Sequence, residues 1–74
     1  MSQIKQELRY EMANICVDHY AKDGLERGTL VRILYRWEEN LSPDDPSLGE
    51  IVKVEVKSLI PPYVSKIIDG ADVA

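Results

Sequence analysis

Cys16-Val-Asp-His19 sets a thiol and an imidazole three residues apart. On a helix that spacing puts both on nearly one face, and thiolate and imidazole both suit the tetrahedral shell of zinc. Two more ligands are missing, because Cys16 is the only cysteine and His19 the only histidine. A symmetric dimer would have to supply a second pair. As a nucleophile and base, the same two residues need an orienting third group and a thiolate-stabilising environment. An apolar helical stripe offers neither. The expectation is therefore a small buried hydrophobe at Cys16 with His19 at the core's edge, no metal or cofactor, and no catalysis. A metal or thiol site at Cys16/His19 stands as an alternative.

A second constellation is electrostatic. Arg32, Arg36, Lys53 and Lys57 fall at even spacing in two strand-like runs and form a basic stripe, interrupted by Glu55. Joined to it is Glu38–Glu50, a thirteen-residue stretch with five acids and no base, more negative than the whole chain's net −4. Its carboxylates (Glu38, Glu39, Asp44, Asp45 and Glu50) are hard cation ligands in principle. Calcium loops, however, place ligands at alternate positions around a glycine-enabled turn. Asp44-Asp45 lies between Pro43 and Pro46 instead, which is turn chemistry. The expected partner-binding residues are thus Arg32, Arg36, Lys53 and Lys57 for an acidic partner, or Glu38, Glu39, Asp44 and Asp45 for a basic one. The expected function is a non-catalytic protein–protein interaction module, either a small regulatory protein or an accessory subunit. A dimeric β-ribbon regulator entering the DNA major groove is the other alternative, although an acidic chain with pI near 4.8 opposes phosphate-driven binding.

The elements that would position these groups follow from periodicity. Residues 3–23 carry Ile4, Leu8, Met12, Ile15 and His19 at helical spacing, with a second stripe at Tyr10, Ala13, Val17 and Ala21. This predicts one amphipathic helix, with Ser2 as N-cap and Asp23-Gly24 as its stop. Leu25 would then pack back on Tyr20. Strands are expected over 29–37 and 50–59, joined by a loop over 38–49. Val31, Ile33, Tyr35 and Trp37 alternate with Leu30, Arg32, Leu34 and Arg36, as in a sheet covered on one side. Pro61-Pro62-Tyr63 reads as a structural stop, followed by a short element over 62–68, helix or strand, and a frayed tail over 69–74.

Gly28-Thr-Leu-Val-Arg-Ile33 and Gly49-Glu-Ile-Val-Lys-Val54 resemble the strand openings of small SH3-like barrels, which serve as accessory subunits and as docking modules for nucleic acids or proteins. A leading helix would leave too few strands to close such a barrel.

The expected fold is therefore α+β within one small domain, 1–74: an N-terminal amphipathic helix on an antiparallel β-hairpin with a long acidic loop. Two strands alone are marginal in water, and no intrachain disulfide is available to a single cysteine. This predicts a homodimer or higher oligomer, assembled through sheet edges that extend the sheet or through the wide apolar face of the helix. Charge appears by Lys5 and no long apolar run exists, so no membrane span is expected and the cytoplasm is the expected compartment.

Overall fold

The computed structural model describes residues 5–74, which form five strands and three single 3-10 turns, two of them in the β2–β3 and β3–β4 connections and one after β5. The order is β1 (Gln6–Glu7), β2 (Met12–Asn14), β3 (Leu30–Asn40), β4 (Glu50–Ser58) and β5 (Ser65–Asp69). All pairings are antiparallel: β1 and β2 both pair with β3, β3 with β4, and β4 with β5. Beyond β2 the chain meets its own C-terminal segment. Ile15 bridges Val73, Asn14 and Ala74 exchange two backbone bonds of 2.9 and 3.0 Å, and the Cys16 N–H donates to the Asp72 carbonyl at 2.8 Å. The sheet thus curls round on itself into a small, partly closed barrel.

The expected N-terminal helix over 3–23 is overturned, and with it the α+β class. Its proposed cap, Ser2, and its first apolar residue, Ile4, lie outside the described residues. Over the rest, a period of two wins: Ala13 and Ile15 are buried and Val17 packs on the same core, whereas Met12 and His19 face solvent. The physical reason is cover. A helix with two apolar stripes had only one hairpin to bury them on, whereas an extended 12–16 segment protects the edge of β3 and closes the sheet. Short apolar runs satisfy either period, and tertiary pairing decides between them. The helix stop survives in another setting. Gly24, at φ +85°, ends a 3-10 turn over Ala21–Asp23, and its N–H donates to the Ala21 carbonyl. The Leu25 N–H donates to the Tyr20 carbonyl at 3.0 Å, and Leu25 is fully buried.

The core is a single cluster of Ala13, Ile15, Leu25, Val31, Ile33, Val54, Val56 and Ile68. Ser58, the one buried polar side chain among the described residues, lies opposite Val31. It satisfies itself on the turn that follows: its Oγ donates to the Ile60 carbonyl at 2.8 Å and accepts from the Ile60 N–H at 3.2 Å.

Three further boundaries differ from the sequence reading. β3 runs on to Asn40 and β4 begins at Glu50, so the connection shrinks from 38–49 to 41–49; Glu38 and Glu39 are strand residues, opposite Val52 and Ile51. Residues 65–69 form a strand on β4. The edge that copies were expected to share is therefore already occupied within the chain. Finally, the tail over 69–74 holds a 3-10 turn, Gly70–Asp72, and the closing bridge. Gly70 is needed there, because a Cβ would come 2.9 Å from Val52 Cγ1.

Candidate functional site

A bulge decides where the charges go. The β3–β4 register shifts between Ile33 and Tyr35, and one extra residue reverses the facing of every side chain beyond it. Before the bulge, Val31 and Ile33 lie opposite Ser58 and Val56, on the core side. After it, Arg36 lies opposite Val54 and Trp37 opposite Lys53. Directly opposed residues share a face of the sheet. Arg36 therefore takes the core-side parity at the barrel's mouth, and Trp37 takes the outer one. The expected common face of Val31, Ile33, Tyr35 and Trp37 does not hold.

Trp37 is nevertheless covered, at 4% exposure, outside the main core cluster. The Lys5 ammonium lies 4.5 Å from its ring centroid, within cation–π range, and its Nε1–H donates to Glu39 Oε1 at 2.8 Å. Glu39 is thereby engaged inside the chain.

The four-membered basic stripe divides in the same way. Arg36 pairs with Glu11 at 3.1 Å. Lys53 pairs with Asp69 at 2.5 Å, and that hydrogen-bonded carboxylate raises the ammonium's pKa. Arg32 and Lys57 remain. They lie directly opposite each other on β3 and β4, in a row that runs Met12–Arg32–Lys57–Ser65 across four strands. Neither makes an ion pair with a carboxylate among the described residues. Glu55, the acid that interrupts the stripe, lies opposite Tyr35 and Ile67. Like charges placed directly opposite on a sheet destabilise it, so this pair carries a standing cost.

Apolar side chains surround the pair. Met12 is 59% exposed, Leu30 precedes Arg32 on the same parity, and the Leu59 N–H donates to the Leu30 carbonyl, setting those two exposed leucines side by side. Sequence reasoning missed Met12, which it placed inside a helix. The outward parity of Leu30 was legible beside that of Arg32.

The acids divide too. Glu38, Glu39 and Glu50 belong to strands, and only Asp44 and Asp45 sit at the hairpin tip. Asp45 caps the 3-10 turn Pro46–Leu48, accepting from the Ser47 N–H at 3.1 Å and from Ser47 Oγ at 2.5 Å. Asp44 makes no ion pair among the described residues. Leu41 and Leu48 flank the two acids, each 58% exposed. An open depression of about 460 Å³ lies nearer this end, lined by Arg36, Glu50, Ile51, Val52, Gly70 and Ala71. Its one base and one acid give it no bias toward a charged ligand.

Cys16 and His19 lose the helix that would have aligned them. The thiol lies at the barrel's seam, 3.5 Å from the Asn14 carbonyl, and the imidazole sits exposed, edge-on to Tyr20. Among the described residues no three His, Cys, Asp or Glu side chains gather to hold a metal ion, and no helix is long and apolar enough to cross a membrane.

Compared with models of known families, with curated proteins and with solved structures, the chain matches none.

Proposed function

We propose that the chain is a non-catalytic interaction module whose Arg32–Lys57 pair receives an acidic segment of a protein partner. The observation that carries this reading is the pair itself: two cations opposite each other on adjacent strands, neither in an ion pair with a carboxylate among the described residues. A partner's carboxylates would relieve that repulsion, and the relief is specific to the bound state. The exposed Met12, Leu30 and Leu59 supply apolar contact at the same place, and Met and Arg are both enriched at protein interfaces. Duplex DNA is disfavoured as partner, because two of the four expected bases are already paired to Glu11 and Asp69 and the net charge is −4.

A polyglutamate peptide is the probe. Fluorescence anisotropy should show binding that weakens with salt and is lost in Arg32→Glu/Lys57→Glu. Arg27→Glu should leave it unchanged, because Arg27 is occupied by Asp18 at 3.0 Å. Equal binding by wild type and the double reversal would remove the site, and preferential binding of duplex DNA would replace the reading.

A further inference from the structure

The geometry points to a second copy of this chain as the acidic partner, its hairpin tip docking on the Arg32–Lys57 row. This rests on the acidic-segment reading above and adds the identity of the segment. The tip, Leu41-Ser-Pro-Asp-Asp-Pro-Ser-Leu48, sets two acids between two exposed leucines. The row sets two bases among exposed Met12, Leu30 and Leu59. Charge and apolar surface thus complement each other on both sides.

The tip cannot reach its own row. Arg32 lies eight residues before the end of β3 at Asn40, a rise of about 26 Å along a strand. The longest dimension of the molecule is 38 Å, so site and tip occupy opposite ends of one hairpin arm. Two copies lying antiparallel bring each tip onto the other's row at once. That arrangement is isologous and closes as a two-fold dimer rather than growing into a filament. It differs from the edge-to-edge sheet expected from the sequence, since β5 occupies that edge.

Charge exchange between copies tests it. One variant, Asp44→Lys/Asp45→Asn, reverses the tip while keeping a side-chain oxygen for the Ser47 cap. The other, Arg32→Glu/Lys57→Glu, reverses the row. By light scattering, wild type should self-associate, about tenfold more weakly as the Debye length falls from about 30 Å to about 8 Å. Each variant alone should remain at the single-chain 8.4 kDa, and an equimolar mixture should associate again, because both contacts are then complementary. A wild type that stays single-chain, or a mixture that does, overturns the inference. The polyglutamate probe separates the two levels: binding of that peptide without self-association leaves the acidic-partner reading standing, and loss of both removes both.

Discussion

Leu25→Ala should lower the unfolding free energy by about 2–5 kcal/mol, the range for deleting most of a buried leucine from a well-packed core. Leu25 has no exposed surface and belongs to the same cluster as Ile15, Val31, Val54 and Val56. It arrives there from a turn, fixed by the left-handed Gly24 and by its own N–H to the Tyr20 carbonyl. Neighbours on a hydrogen-bonded sheet can close only part of the space it leaves. Small domains have total stabilities near the low end of about 5–15 kcal/mol, so this variant should be partly unfolded at ambient temperature. Urea unfolding measures it, with a lower midpoint expected at unchanged slope. A loss below about 1 kcal/mol would fit a leucine packed on a helix end in solvent, not one at the centre of a barrel.

Removing Asp72–Ala74 should cost a comparable amount, about 2–6 kcal/mol. The deletion takes out three backbone bonds to Asn14 and Cys16 and the Tyr20 hydroxyl's bond to Asp72 Oδ2 at 2.5 Å. Each contributes about 0.5–1.5 kcal/mol, and more where a charged acceptor is involved. The Val73 contact with the core is lost with them. Hydrogen exchange should localise the effect, the Asn14 and Cys16 amides losing protection before those of β4. A frayed tail would make the truncation silent.

The same seam sets an alkaline limit. Partial burial, and then the bond to Asp72, raise the Tyr20 phenol from 10.0 to about 12. The neutral phenol is therefore favoured by folding. Its stabilisation is fully present below pH 10, and it declines as pH rises through about 12. Tyr20→Phe should abolish that part of the alkaline loss.

The central strands were legible because their apolar alternation is regular over Leu30–Ile33 and Ile51–Val56. The outward facing of Arg32 and of Lys57 followed from parity, whereas their direct opposition depends on the strand register. Two things were not legible. The first was the bulge after Ile33: nothing in Leu34-Tyr35 marks an extra residue, and yet it sent Arg36 and Trp37 to faces opposite those expected. The second was the N-terminal segment. Leu8, Met12 and Ile15 fit a helix, whereas Ala13, Ile15 and Val17 fit a strand, and long-range pairing with β3 and with Val73 decides between them. The Ile15–Val73 bridge also closes the sheet, which a leading helix would have left open.

The site inherits both errors. Arg32, Lys53 and Lys57 keep the outer face and Arg36 leaves it; Lys53 is neutralised by Asp69, and the apolar fringe at Met12 was invisible from within a helical reading. Gly24 and Leu25 show the opposite case. Their turn chemistry is local, so it persisted although the element it terminates changed.

The most direct test of the unneutralised pair is the unfolding free energy of Lys57→Glu at low ionic strength, measured at a protein concentration low enough that wild type is single-chain by light scattering, so that association adds nothing to its stability. A carboxylate opposite Arg32 turns cross-strand repulsion into attraction. The variant should therefore be more stable than wild type by about 0.5–1 kcal/mol, with the gain shrinking as salt is added. Equal or lower stability would mean that Lys57 already has its counter-charge within the chain, and would contradict the account.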